Sequence, residues 1–440
     1  MKKSVRISIS AVIAALIVFT SCIPVRKKGG KHISSAADGP VILTWWEFPN
    51  FDGDGSFERN LIAAFELKNP DIKVKLEMIS FQDGPAKITT AIASNTAPDF
   101  TYDAPGRIIA WGNDGLLAPL DDIIAPEKAH LASAPLAASK GADGAYYMYP
   151  VHTGGFTMAF NKEMLEDLGL IDMLPYKTAD RTWTLKQYED LLRAIKAKLP
   201  PGKVPAVFYA KSQSGDQGTR AFMVNLHGNA PLMNEDRTRY VFNGQNAVKN
   251  VQWLQKAVKE GLLMNGAALQ AGDAIDMYCA SNAAGTILYS LQLEKINDAK
   301  INYNGKKFTS IFMPFPNDAG NPVLEFIVGG PCIFDNGDPA KIAAGKKLAS
   351  FIAGDPEWAP KLIAATGLFP VSDKITIELD SDEQKWNARA ARFFGDYYNT
   401  VAGFSEMRTY WFPAMQAVLN GRDAQKTLDI FVQRSNAVEK

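Results

Sequence analysis

Residues 41–80 read VILTWWEFPNFDGDGSFERNLIAAFELKNPDIKVKLEMIS, and they carry a pattern that later segments repeat. Apolar residues recur at helical spacing in FERNLIAAFELKNP (57–70), whereas IKVKLEMIS (72–80) alternates apolar and polar residues as a half-buried strand does. With the strand-like VILT before them, these segments form a strand-helix-strand unit. Residues 86–103, AKITTAIASNTAPDFTYD, again place a short helix before a strand. The alternation predicts an α/β fold built on mainly parallel sheets flanked by helices.

Two adjacent tryptophans follow the first strand-like residues. Neighbouring side chains of a strand point to opposite faces, so Trp45 and Trp46 do not both enter the same core. Ligand sites of open α/β sheets lie at the carboxyl ends of the strands. We therefore expect Trp45 to pack under the sheet and Trp46 to face a cleft, with Glu47 beside it as an acceptor for a ligand hydroxyl. The alternative is that both rings are core residues.

The first residues of the chain indicate export. MKKSVR is basic, and the apolar run ISISAVIAALIVF (7–19) is too short to span a bilayer but suits the core of a signal peptide. FTSC then resembles the lipobox of bacterial lipoproteins, with Phe19 where leucine is usual. We expect residues 1–21 to be a signal peptide, Cys22 to be lipidated and residues 22–40 to be a flexible tether. The exported protein is then anchored to the membrane, in the periplasm or at the cell surface; plain secretion and an uncleaved anchor are the alternatives.

Composition limits the class of partner. The 440 residues contain 47 Lys+Arg and 47 Asp+Glu, and 47% are hydrophobic, which favours a globular chain of two lobes without bulk charge for nucleic acid. Apart from Cys22, the cysteines are Cys279 and Cys332. Both have apolar or small neighbours, so we expect buried free thiols, with a disulfide as the alternative. No CxxC or Cys/His cluster is present, and we predict neither a metal nor a cofactor.

Motifs for catalysis are missing from the sequence. The four histidines lie in different segments, and HExxH, GxSxG and GxGxxG do not occur. A glycosidase needs two acids that face each other, and Glu47 and Asp103 are the pair available near the expected cleft. We therefore expect a binding protein and not an enzyme. An exported carbohydrate-active enzyme and a surface adhesin are the alternatives.

Aromatic residues beside amides and single charges recur at strand ends and in turns. Sugars suit such surfaces, because their C–H faces pack on aromatic rings while charged and amide groups bond their hydroxyls. The ligand-binding candidates are Trp46, Glu47, Asn50, Asp103, Arg107, His152, Thr153, Tyr289, Arg408, Tyr410 and Trp411. Two structural alternatives stay open: a plain surface ion pair between Asp103 and Arg107, and burial of Trp411 between helices. A phosphorylated polyol held by Arg107 and Arg408 is the alternative ligand.

A series of motifs resembles one family in order and spacing. From Val41 to the C-terminus these are ILTWWE, FERNLIAAFELKNPDIKV, SNTAPDF, WGNDGLLAPLDD, YPVHTGGFTMAFNKEMLEDLGL, RTWTLKQYEDLL, IFMPFPNDAGNPVLEFIVGGPCIF, KLASFIAG, ATGLFPV and FPAMQAVLNGRDAQKTLDIF. Each motif is weak alone, but together they resemble extracellular solute-binding protein family 1, the sugar-binding lipoproteins of ABC importers that include maltose-binding proteins.

The resemblance implies a two-lobed periplasmic-binding-protein fold of type II, with the ligand in the cleft between the lobes. We assign residues 41–152 and 310–354 to the first lobe, and residues 153–309 and 355–440 to the second. The resemblance further implies a monomer that binds a mono- or oligosaccharide, or a phosphorylated polyol such as glycerol 3-phosphate. Its partners are then ABC permease subunits and their ATPase.

Site residues carry over from the family unevenly. The maltose-binding branch supplies a charged pair from the loop between APD and GLL. Arg107 fits that place and Asp103 lies one helical turn before it, but the position just before the arginine is Gly106 instead of an acid. The acid expected after the first crossing segment is also replaced, by Gly154. The stacking tryptophan near the C-terminus has a counterpart in Trp411.

Overall fold

The computed structural model describes residues 39–51, 54–80, 83–211 and 215–438. The expected signal peptide, Cys22 and all but the end of the expected tether lie outside these residues. None of the helices in the described ranges combines the length and apolar character needed to cross a membrane.

Strands and helices alternate through the first part of the chain, as the sequence pattern predicts. The strands are β1 (Val41–Glu47), β2 (Ile72–Met78), β3 (Phe100–Asp103), β4 (His152–Gly155), β5 (Thr157–Asn161), β6 (Val207–Tyr209), β7 (Met264–Gly266), β8 (Gly285–Tyr289), β9 (Ser310–Met313), β10 (Phe326–Ile333) and β11 (Phe369–Pro370). The helices are α1 (Ser56–Lys68), α2 (Gly84–Ala93), α3 (Pro105–Asn113), α4 (Asp121–Ile124), α5 (Ser133–Ala138), α6 (Lys162–Asp167), α7 (Leu185–Lys198), α8 (Asp216–Asn225), α9 (Gln245–Lys259), α10 (Ala271–Cys279), α11 (Leu291–Ile296), α12 (Pro339–Gly354), α13 (Trp358–Thr366), α14 (Asp382–Ala390), α15 (Phe404–Met407), α16 (Trp411–Leu419) and α17 (Ala424–Asn436). Single 3₁₀ turns cover Lys128–His130, Ile171–Met173, Asp298–Lys300, Ala391–Phe393, Tyr398–Thr400 and Arg408–Tyr410.

The first sheet has the strand order β11-β4-β10-β3-β1-β2. β1 pairs in parallel with β2 and with β3, in the register Trp45 to Leu76 and Trp45 to Phe100. β10 is antiparallel to both β3 and β4, and β11 is antiparallel to β4. The expectation of a mainly parallel sheet is therefore correct only for β2-β1-β3. The remaining strands alternate in direction because β4 leaves this sheet for the second one, whereas β10 returns from it.

The second sheet has the order β8-β5-β9, and β5 is antiparallel to both neighbours. β6 and β7, which lie between β5 and β8 in the sequence, form a separate parallel pair. The prediction of a mainly parallel second sheet is therefore wrong. The helical segments between these strands are long enough for parallel crossovers, but the antiparallel arrangement arises from returns that the periodicity does not encode.

Local signals set the helix boundaries. The expected capping box at the start of α7 is present: the Thr184 hydroxyl accepts from the Gln187 backbone N–H at 3.2 Å, and the Gln187 amide oxygen accepts from the Thr184 N–H at 2.8 Å. Ser381 caps α14 in the same way through Gln384. α1 ends before Asn69-Pro70, as the proline requires.

The apolar side chains form separate cores for the two sheets. One core runs from Met158 to Phe431 and surrounds the second sheet. Two further clusters flank the first sheet, one containing Trp45 and Leu348, the other containing Phe48 and Ile108. Strand alternation explains the two clusters, because successive residues of β1 face opposite sides.

The sheets place the lobe boundaries differently from our assignment. β4 stays in the first sheet to Gly155, and β5 of the second sheet starts at Thr157, so the first crossing is at Phe156. β9 belongs to the second sheet and β11 to the first, and α12 and α13 pack against the first sheet. These assignments do not fit crossings at 309/310 and 354/355. We now propose crossings at residues 314–325 and 378–381. Hydrophobic runs show that a segment is buried but not which sheet it joins.

Both cysteines of the described part are buried free thiols, as expected. Burial raises the pKa of each, and for Cys332 the rise is large.

Candidate functional site

The two tryptophans of β1 separate as strand geometry demands. Trp45 is fully buried, and its ring lies edge-on to Phe100 with ring centres 5.3 Å apart. Trp46 is half-buried on the opposite face of the sheet, where the Lys87 ammonium lies 4.3 Å from its ring centre. The prediction that Trp45 is the core residue is confirmed. A ligand contact for Trp46 stays a prediction.

Glu47 ends β1 and is fully buried. Its carboxylate accepts from the Asn50 side-chain amide at 2.8 Å and from the Trp45 indole N–H at 2.7 Å. Burial raises the pKa of Glu47 well above its ordinary value of 4.5, since the low-dielectric interior disfavours the charged form. The expected role of Glu47 as an acceptor for a ligand hydroxyl is therefore corrected: both oxygens are engaged inside the lobe. Asn50 beside it is half-buried.

Asp103 and Arg107 form an ion pair at the carboxyl end of β3. The Arg107 guanidinium donates twice, at 2.5 Å and 2.6 Å, to the two oxygens of Asp103. Asp103 is buried, whereas 41% of the Arg107 side chain is exposed. Burial by itself lowers the pKa of Arg107, but the Asp103 carboxylate outweighs it and raises that pKa. The guanidinium also lies 5.1 Å from the centre of the Phe48 ring. The pair thus presents a cation whose charge is already balanced.

His152 and Thr153 lie in β4 and are each 6% exposed. The His152 Nδ1 is 2.8 Å from the Tyr102 hydroxyl, and the Thr153 hydroxyl donates to the carbonyl of Ile327 at 2.8 Å. Burial lowers the pKa of His152 to about 3, so its ring is neutral at physiological pH. Both side chains bond within the first sheet, and we propose no ligand contact for them.

Tyr289 and Trp411 lie in the second core. Tyr289 is fully buried and stacks on Phe312 with ring centres 5.7 Å apart. Trp411 is 1% exposed, and its indole N–H donates to the Thr219 hydroxyl at 2.9 Å. Its ring also packs 5.5 Å from that of Phe242. The structure gives both rings a packing role, which corrects the expectation that Trp411 stacks on a ligand. Tyr410, its neighbour, is half-buried.

Arg408 belongs to a chain of four side chains that sequence reasoning did not find, here called the charge chain: Arg408, Asp216, Arg220 and Glu325. Asp216 and Arg220 lie four residues apart on α8 and so share one face of the helix, where they form an ion pair. Arg408 forms an ion pair with the other oxygen of Asp216, and its Nε donates to that carboxylate at 3.2 Å. Arg220 donates to both oxygens of Glu325, at 2.9 Å and 2.6 Å.

The charge chain runs from the second core to its edge. Asp216 and Arg220 side chains are 1% and 2% exposed, whereas Glu325 and Arg408 at the two ends are 12% and 25% exposed. Burial, and the nearby cation of Arg220, lower the pKa of Arg408 to about 10. With two acids and two bases the chain has no net charge. Each arginine of the charge chain is therefore already paired with a carboxylate of the protein.

Tyr397 lies near both the charge chain and the Asp103–Arg107 pair. It is 8% exposed, and its ring centre lies 5.2 Å from that of Phe326. Burial raises the pKa of Tyr397, and the carboxylates of Asp103 and Glu325 raise it further. Tyr397 therefore lies close to an acid of the first lobe and to an acid at the crossing. The candidate site is the region where these groups meet.

Sequence reasoning missed the residues that complete this region. They are Asp216, Arg220, Glu325, Tyr397, Tyr398 and Asn399. The signal was present for the last three, since FGDYYNT (394–400) has the aromatic and amide composition by which the other candidates were chosen. Asp216 and Arg220 have no such signal, because charged residues four apart are common on solvated helices, and nothing in the sequence links Glu325 to Arg220, 105 residues before it. Among the described residues, no group of three or more histidine, cysteine or acidic side chains is placed to hold a metal ion.

Comparison with known proteins gives the family context. Residues 60–392 match the model of the family described as bacterial extracellular solute-binding protein. A curated binding protein of Brucella abortus is 28% identical over 138 residues, a stretch that covers 31% of this chain and 33% of the Brucella protein. The match thus spans about a third of that relative's length.

Solved structures resemble the whole described fold. An ABC substrate-binding protein from Listeria monocytogenes, in complex with cycloalternan, has 20% identity and a TM-score of 0.69 over 90% of this chain and 98% of its own. The UgpB protein of Mycobacterium tuberculosis, in complex with glycerophosphocholine, has 15% identity and a TM-score of 0.72 over 91% and 98%. At these identities the likeness establishes the fold, which is the two-lobed architecture of periplasmic sugar-binding proteins.

Proposed function

Because the chain belongs to the bacterial extracellular solute-binding protein family, we propose that it is the substrate-binding component of an ABC importer and holds a neutral carbohydrate between its two lobes. One observation carries the choice of ligand: Arg107 and Arg408, which border the candidate site, are each bonded to a carboxylate. Paired charges beside tyrosines offer donors, acceptors and aromatic faces to hydroxyl groups.

A phosphorylated polyol or a glycerophosphodiester is the second candidate ligand. The fold shared with the glycerophosphocholine-bound protein supports it. However, a phosphate would have to displace Asp103 or Asp216 from its arginine, or enter a partly buried region whose bordering arginines, among the residues that the structure describes, are already paired. Either route carries a desolvation cost of several kcal/mol for an unpaired buried charge. We therefore favour the neutral sugar, and we propose binding without catalysis since Glu47, one acid of the only expected pair, is enclosed.

Thermal-shift screening tests the proposal. We expect neutral sugars to raise the melting temperature of the mature chain, and a ligand at 100 times its Kd to add about 2.7 kcal/mol of stability. Arg107→Met removes a charged hydrogen-bonding group and is expected to weaken binding by about 1.5–3 kcal/mol. Arg59→Met is the matched control, since Arg59 is an exposed arginine of the same lobe. A larger shift with glycerol 3-phosphate or glycerophosphocholine than with any sugar would replace the proposal by its alternative.

Membrane attachment is a further part of the proposal. The basic start, the short apolar run and the lipobox-like FTSC support export followed by lipidation at Cys22, which would hold the monomer near its permease subunits and ATPase. We expect Cys22→Ala to move the protein from the membrane fraction to the soluble fraction with unchanged sugar affinity. Continued membrane association of this variant would instead indicate an uncleaved anchor.

A further inference from the structure

Gly106 lies in the first turn of α3, next to Arg107, and its missing side chain has a structural consequence. A side chain at this position would meet Asn399, because an added Cβ would lie 3.2 Å from the Asn399 Cβ and 3.5 Å from its carbonyl oxygen. A 3.2 Å contact is tighter than ordinary van der Waals separation. The missing side chain therefore lets residue 399 approach the first turn of α3, beside Arg107.

Asn399 belongs to a segment, Phe393–Thr400, that we call the strap. Its backbone is bonded to the second crossing: the Leu324 N–H donates to the Phe393 carbonyl at 2.8 Å, and the Gly395 N–H donates to the Leu324 carbonyl at 3.0 Å. The second crossing is also bonded to the first crossing, because the Phe156 N–H donates to the Glu325 carbonyl at 2.8 Å. Three chain segments thus run side by side between the lobes.

The strap packs on both lobes. The Phe394 ring stacks on Phe326 of the first sheet, with ring centres 4.6 Å apart and planes 2° from parallel. Tyr397 lies in the apolar cluster of the first lobe, whereas Tyr398 packs against the second core. Near Thr400 the chain continues into α15, whose Phe404 is a buried member of that second core. The Gly106–Asn399 contact therefore joins α3 to a segment that is continuous with the second lobe.

We propose that the strap is the closing wall of the ligand site and that Gly106 is the residue that allows it to close. The inference rests on the proposed function, and it adds Tyr397 and Asn399 to the binding residues. Hinge closure around a ligand is the motion known for periplasmic binding proteins. When the lobes part, Asn399 leaves Gly106, and the sugar enters between Arg107 and the strap. On closure the Asn399 side chain lies beside Gly106 and offers amide hydrogen bonds without adding charge.

The first test is a compensated substitution. Gly106→Leu inserts a side chain into the space of Asn399 and is expected to weaken sugar binding by about tenfold or more, which corresponds to about 1.4 kcal/mol. Asn399→Gly removes the obstructing side chain. Gly106→Leu should therefore cost less affinity in the Asn399→Gly background than in the wild type. Calorimetric titration of the four proteins measures the coupling. Sugar binding by Gly106→Leu at the wild-type affinity would overturn the inference and leave the proposed function intact.

The second test needs no ligand. The Cβ separation at these positions is close to the roughly 3.5–4.5 Å of disulfides, so Gly106→Cys with Asn399→Cys, in the Cys22→Ala background, is expected to form a cross-link on oxidation. Cys279 and Cys332 are buried and do not compete. Small-angle scattering should then report a smaller radius of gyration for the oxidised protein than for the reduced one. Equal radii would show that the contact is a fixed part of the fold, and would overturn the inference even if no sugar binds.

Where a sugar does bind, the cross-link gives a third readout. The oxidised protein is expected to exchange bound sugar about tenfold or more slowly than the reduced protein, because the closed wall blocks the exit. Reduction should restore the rate. Unchanged exchange in the oxidised protein would show that the ligand leaves by another route, which contradicts the strap as a closing wall.

Discussion

Arg220→Met is expected to lower the free energy of unfolding by about 3–5 kcal/mol, the range seen when one partner of a buried ion pair is removed. The Arg220 side chain is 2% exposed and is bonded to both Asp216 and Glu325. Methionine fills a similar volume but bonds neither acid. Asp216 keeps Arg408, whereas Glu325 loses the guanidinium that satisfies both of its oxygens. Urea unfolding measures the change, and an unchanged m-value would confirm that the folded state is otherwise intact.

Arg193→Met is the matched control. Arg193 also contacts two acids, Glu189 and Glu260, but its side chain is 44% exposed. Water screens such a pair, so we expect a loss of about 1 kcal/mol or less. If Arg220→Met cost no more than Arg193→Met, the charge chain would not hold the second lobe together. Adding Glu325→Leu to Arg220→Met should recover part of the loss, since no unpaired carboxylate then remains at that end.

Glu47→Gln and His152→Gln are expected to change the pH dependence of stability in opposite directions. The folded pKa of His152 is lowered from 6.5 to about 3, so its contribution is present above pH 6.5 and is lost as the pH falls toward 3. The folded pKa of Glu47 is raised above 4.5, so its contribution is present below pH 4.5 and is lost as the pH rises toward the folded value. Between pH 4.5 and 6.5, a rising pH therefore increases the stability of the wild-type protein through His152 and decreases it through Glu47.

Each variant removes the pH dependence of stability that one of these two groups contributes. Relative to wild type, Glu47→Gln should gain stability as the pH rises above 4.5, and His152→Gln should gain stability as the pH falls below 6.5. Other titrating groups are shared with the wild type and cancel in the difference. Glutamine leaves a hydrogen-bond partner for the Tyr102 hydroxyl at position 152 and imitates the protonated acid at position 47.

Urea titrations at four pH values from 4.5 to 7.5 measure these differences. His130→Gln is the control, because 42% of the His130 side chain is exposed whereas His152 is buried. A flat difference for His152→Gln would show that this ring titrates alike in the folded and unfolded chain. A flat difference for Glu47→Gln would mean that its carboxylate is ionised in the folded protein at neutral pH.

Much of the fold follows from local signals. The capping box of α7, the proline after α1 and the alternation in β2 act over a few residues, so each is visible in the sequence and present in the structure. The separation of Trp45 from Trp46 is equally local, because it depends only on the two-residue period of a strand. Strand direction is not local. β10 reverses because the chain returns from the other lobe, and no periodicity within FIVGGPCI shows this.

The candidate site divides in the same way. The sequence by itself placed Asp103 and Arg107 four residues apart and predicted that one tryptophan of β1 enters the core, whereas the tertiary structure decided that the two charges pair. Only the tertiary structure decided that Glu47 and Trp411 are enclosed and that Arg220 meets Glu325, a residue 105 positions away. It also decided that Asn399 fills the space above Gly106. The physical reason is that hydrogen bonds within a turn or strand depend on spacing along the chain, whereas burial and long-range ion pairs depend on which surfaces the packed lobes bring together.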